Sequence, residues 1–103
     1  MTRGLRYENF ALNTLQLIEL DENIQVRNGV IAILAEKVNC DQAKITGQSL
    51  VFADLGLNDL VIDSLIVSIK DRFGVMVLKR DFYTFRTVND LISFVRDKYR
   101  SRP

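Results

Sequence analysis

A chain of 103 residues with 48% hydrophobic composition has the length and apolar content of one compact domain, able to bury a core without metal or disulfide staples. Its 14 Lys and Arg against 13 Asp and Glu leave a net charge of +1, which gives no electrostatic reason to expect nucleic acid or an anionic membrane surface as a partner. Histidine is absent and Cys40 is the single cysteine, so an intrachain disulfide, the usual zinc ligand sets and a Ser/His or Cys/His catalytic pair are excluded. No apolar run follows the basic residues of the N-terminus, and none approaches the about 20 residues of a membrane span. The expectation is a cytoplasmic protein with no secretory signal and no membrane insertion.

Residues 1–20 read as an N-terminal extension. Tyr7, Phe10, Ala11, Leu15 and Ile18 share one face of a helix there, although Leu12, Leu17 and Leu20 blur the period. Residues 21–103 read as a helical domain, because its apolar residues recur at helical spacing in three places and neither a repeat nor a Pro/Gly-rich linker interrupts them. The first helix is expected over Asp21 to Val38, with Asp21 as N-cap and Ile24, Ile31, Leu34 and Val38 on its core stripe, broadened by Val30 and Ile33. Gly29 inside it costs about 1 kcal/mol relative to alanine, so tertiary packing must hold the helix.

A long connection from Asn39 to Leu57 follows, in which Cys40 reads as an inert thiol at the helix end. The second helix is expected from Asn58 to Phe73, with Asn58 as cap, Asp59 in the first turn, Gly74 as stop, and Leu60, Leu65, Ile66, Ile69 and Phe73 as its apolar surface. Asp81 to Phe85 suggests one short helical turn. The last helix is expected from Thr87, with Val88, Leu91, Ile92 and Val95 inward and Lys98, Arg100 and Arg102 complementing the dipole at its end.

Lys44-Ile45-Thr46, Asp54-Leu55-Gly56, Phe73-Gly74-Val75-Met76-Val77 and Arg86-Thr87-Val88-Asn89-Asp90-Leu91 follow one another along the chain. In order and in register, over about residues 22 to 98, these segments resemble the acyl carrier proteins. The resemblance implies an all-α, acyl-carrier-like four-helix bundle of three main helices and one short helix, with an N-terminal extension. In that family the turn reads Asp-Leu-Gly-x-Asp-Ser-Leu, and its serine carries 4′-phosphopantetheine. The matching position here is Asp59, fourteen residues before Phe73 as in the family, and a carboxylate cannot form that phosphodiester. A second Asp-Ser-Leu, Asp63-Ser64-Leu65, makes Ser64 the alternative attachment point. It lies nine residues before Phe73 and inside the helix, out of the family's register.

The family also presents acidic residues along its second helix to basic partner enzymes. Two of those positions read Val61 and Ser64, and the segment after the helix reads Val77-Leu78-Lys79. Such a surface should reject the ordinary partners. Val61, Ile62, Ile66 and Val67 leave the helix apolar over more than its core face, so Val61, Ile62, Ser64, Val67 and Lys79 form the expected partner surface, with a homodimer or a covering N-terminal segment as the other readings.

The leading expectation is a carrier-like protein, not an enzyme, acting by protein–protein contact with carrier-dependent enzymes of a fatty acid, polyketide or related system. No cofactor is expected under that reading. The alternative is a working carrier that bears 4′-phosphopantetheine on Ser64. A small enzyme is disfavoured: there is no glycine-rich phosphate loop and no metal-ligand cluster, and Asp59 and Asp63, at i and i+4, read as two solvated charges rather than an acid–base dyad.

Overall fold

The computed structural model describes residues 21–101. Four α-helices form the described part of the domain: α1 (21–38), α2 (Asp59–Phe73), α3 (Lys79–Phe82) and α4 (Val88–Ser101), with a 3-10 turn at Gln42–Lys44. The only β-type pairing among these residues is an isolated antiparallel bridge between Leu50 and Thr87. This is the all-α bundle of three main helices and one short one expected from the sequence. Residues 1–20 and Arg102 lie outside the described residues, and with them the expectation of an extra N-terminal helix.

Each helix ends for a local reason. Asn39 takes a left-handed conformation (φ 58°), and the Cys40 amide donates back to the Ala35 carbonyl at 3.0 Å, the six-to-one bond that closes a helix C-terminus. Asn58 caps α2 by accepting from the Val61 amide at 3.0 Å, and Gly74 stops it at φ 69°. At α4 the Thr87 hydroxyl accepts from the Asp90 amide at 3.4 Å, while the Asp90 carboxylate accepts from the Thr87 and Arg86 amides at 3.0 and 2.8 Å.

Two expectations about helix ends are corrected. Asp21 is itself helical, so it does not cap α1 from outside. The short helix begins two residues early, at Lys79, because the Asp81 carboxylate reaches back to the Leu78 amide at 2.9 Å and therefore sits in the first turn.

The core gathers Val26, Val30 and Leu34 of α1, Ile62, Leu65 and Ile69 of α2, Phe82 of α3, and Val88, Leu91 and Val95 of α4, all essentially inaccessible. Phe82, Phe85 and Phe94 form an edge-to-face series, with centroids 5.5 and 5.3 Å apart, that joins α3 to α4. Ile24, expected on the core stripe, is half exposed, and Val26 takes the inward position. Gly29 is the close-approach point of α1: a Cβ there would stand 2.5 Å from the Phe73 ring and 2.8 Å from the Arg72 guanidinium. The helix-propensity cost of that glycine is the condition for bringing α1 onto the end of α2.

Candidate functional site

The head of α2 is built by the turn before it. The Asp54 carboxylate accepts from the Leu50 amide at 2.8 Å. The Asp54 and Leu55 amides both donate to the Leu50 carbonyl, and the Gly56 amide donates to that of Phe52. Gly56 occupies the left-handed region at φ 68°, which an L side chain reaches only with strain. Leu57 is buried and closes the turn with a bond from its amide to the Val51 carbonyl at 3.2 Å. Asp54, Leu55 and Gly56 therefore form a hydrogen-bonded turn that delivers Asn58 as the cap and Asp59 as the first residue of α2.

The same connection is fastened to α4. The Val51 amide donates to the Arg86 carbonyl at 3.1 Å, and the Ser49 and Gly47 carbonyls accept from the Val88 and Asn89 amides, both at 2.9 Å. These carbonyls satisfy donors that the first turn of a helix leaves without an intrahelical partner.

Asp59 is exposed, and its carboxylate is held from α3. Tyr83, just past the end of that helix, donates its hydroxyl proton to Asp59 Oδ1 at 2.5 Å. Lys79 Nζ lies 3.9 Å from the same oxygen and 3.3 Å from Asp63 Oδ1. The bond to Asp59, reinforced by the charges of Asp59 and Asp63, raises the Tyr83 hydroxyl above the ordinary tyrosine value. The Tyr83 ring stacks on Phe52, from the loop before α2, with centroids 5.5 Å apart and planes 10° from parallel. A carboxylate so placed offers no hydroxyl for a phosphodiester, so the residue that opens α2 does not fit a covalently attached phosphopantetheine. Asp59 and Asp63 share one lysine on an open surface, an arrangement suited to pairing rather than to acid–base exchange.

Ser64 lies five residues further on, about one and a half turns into α2, and is half-buried. Of the expected partner surface, Val67 is 59% exposed, while Val61, Ser64 and Lys79 are half-buried. Ile62 is a correction: it is fully buried and turned into the core, so it presents nothing to a partner. Leu60, expected on the apolar core side, is instead 81% exposed and stands two helical turns before Val67 on the outer stripe. The three consecutive apolar residues Leu60, Val61 and Ile62 fit two rotations of the helix, and the one adopted buries Ile62 in the common core.

Sequence reasoning missed Tyr83 and Phe52. Their aromatic character was the available signal, but the contact joins residues 24 apart in sequence. Among the described residues no group of three or more metal-ligating side chains occurs, and no helix is long and apolar enough to cross a membrane.

Residues 28–95 match the family model described as "Phosphopantetheine attachment site". An acyl carrier protein of Thermotoga maritima is 28% identical over 74 residues, covering 72% of this chain and 91% of the relative. The protein named "Acyl carrier protein MbtL" of Mycobacterium sp. (strain MCS) is 32% identical over 71 residues, covering 69% and 80%. An acyl carrier protein of Helicobacter pylori (strain G27) is 29% identical over 66 residues, covering 64% and 85%. The matched region runs from within α1 through the turn and the head of α2 into α4, and the chain belongs to the acyl carrier protein family.

Proposed function

We propose that this protein is a carrier-fold protein that works without a covalent arm, by protein–protein contact with carrier-dependent enzymes. The observation that carries the reading is the occupant of the helix head. The turn that presents the attachment serine in the family presents Asp59 here, and Tyr83 and Lys79 hold its carboxylate in place. Asp54, Gly56 and Asn58 keep their structural roles, so the turn persists without the serine it would display. The partner contact is assigned to the outer stripe of α2, Leu60, Ser64 and Val67, with Val61 and Lys79 at its margins. Val61 and Ser64 stand where the family is acidic and carry no charge, and Leu60 and Val67 beside them are exposed, which favours a partner with an apolar rather than a basic docking site. The protein has no catalytic role under this reading, and a cytoplasmic location accords with the single exposed thiol, Cys40.

The test is the intact mass of the protein after incubation with coenzyme A and a broad-specificity phosphopantetheinyl transferase. Wild type should gain no mass, and Asp59→Ser should gain one phosphopantetheine. Labelling of wild type that disappears in Ser64→Ala would overturn the reading and make this a working carrier that shuttles thioesters on Ser64.

A further inference from the structure

Seven large apolar side chains stand exposed among the described residues, and six of them, Phe52, Leu60, Val67, Met76, Leu78 and Tyr83, fall between the turn before α2 and the residue that follows α3. Leu60 and Val67 are the most exposed of the seven and lie two turns apart on one stripe of α2, with the small, half-buried Ser64 between them. We propose that this stripe pairs with the same stripe of a second copy of the chain, antiparallel across a two-fold axis near Ser64. The inference names the partner of a surface already assigned to protein contact and rests on the armless reading, because an arm on Ser64 would stand at the two-fold axis.

The order of charges along α2 selects this occupant. Asp59 and Asp63 lie at its head, and Lys70 lies near its tail on the same side of the stripe. In an antiparallel pair that sets Leu60 against Val67 of the second copy, Lys70 of the second copy comes within a turn of Asp59, and the contact repeats identically on the other side of the axis. Asp71 of each copy then falls just beyond the N-terminus of the opposing α2, where the helix dipole favours a negative charge. Asp63 comes closest to its own counterpart, and Lys79, at 3.3 Å, already offsets it. A parallel pairing would instead set acid against acid and base against base. Residues 52–86 hold five Lys/Arg and five Asp, and the whole chain carries +1, so no net repulsion opposes self-association.

Sedimentation equilibrium of the full chain from micromolar to millimolar concentration tests this. Wild type should show a concentration-dependent monomer–dimer equilibrium. Val67→Asp, which alters an exposed site and leaves the core untouched, should weaken it by roughly tenfold or more. Lys70→Glu should weaken it as well, and adding Asp59→Lys to Lys70→Glu should restore part of the loss. A wild type that stays monomeric throughout, or a dimer unaffected by Val67→Asp, overturns the proposal. A wild-type mass gain that disappears in Ser64→Ala would overturn both readings, whereas a monomeric wild type that gains no mass would overturn this one and leave the armless reading standing.

Discussion

Tyr83 and Asp59 are joined by a 2.5 Å hydrogen bond that ties the end of α3 to the head of α2. The bond favours the protonated phenol, so Tyr83 in the folded protein titrates above the ordinary tyrosine value. Its contribution to stability is complete below that ordinary value and is lost as the pH climbs through the raised one. Following tyrosinate absorbance, with Tyr83→Phe identifying the step, should show ionisation at higher pH in wild type than in Asp59→Ser. Identical Tyr83 steps in the two proteins would mean that the contact does not form in solution.

Two glycines should resist alanine for opposite reasons. Gly29→Ala gains helix propensity but drives a Cβ to 2.5 Å from the Phe73 ring, a clash that should cost about 1–3 kcal/mol. Gly56→Ala meets no atom within 4 Å, so its cost, about 1–2 kcal/mol, comes from the left-handed backbone alone. Denaturant midpoints measure both. Gly56→Asn should recover part of the loss because asparagine tolerates that conformation, whereas Gly29→Asn should not.

Two neighbouring apolar positions on α2 should part company. Ile62→Ala removes a fully buried side chain and should destabilise by about 2–5 kcal/mol, while Leu60→Ala, 81% exposed, should stay within about 0.5 kcal/mol. Equal losses in thermal or chemical unfolding would contradict the rotation of α2 described above.

The Asp90 carboxyl is held below its usual value by the amides of Thr87 and then Arg86. Its stabilisation is therefore present above the unfolded-state value and fades as the pH falls through the lowered one. Asp90→Ala should cost roughly 1 kcal/mol near neutrality. The gap between wild type and variant should close in acid. A gap that persists at the lowest workable pH would show that packing, rather than the charge, set the loss.

Where local chemistry decides, the sequence was legible. Asn58 before an apolar run and Gly74 after it located α2, and the spacing from Asp54 to Phe73 placed Asp59 at its head. Where several local solutions compete, pattern alone was insufficient. Ile24 and Val26 both suit an inward position, and only the bundle's packing turns Val26 in. Leu60 and Ile62 were exchanged for the same reason, which moved the outer stripe by part of a turn. Asp81 was read as the start of the short helix, although an aspartate serves equally as the third residue of a helix that reaches back. Tyr83 carried no local mark, because its partner arrives from a distant helix.

The carbonyls of Gly47 and Ser49 bind the first amides of α4, and a Cβ on Gly47 would strike the Asn89 side chain. The long stretch between α1 and α2 is thus the collar into which the last helix is seated. Its length suggests tolerance of insertions, but additions beside Gly47 or Ser49 should unseat α4, some forty residues downstream. Changes in the middle of the chain and changes near its end should therefore produce the same defect.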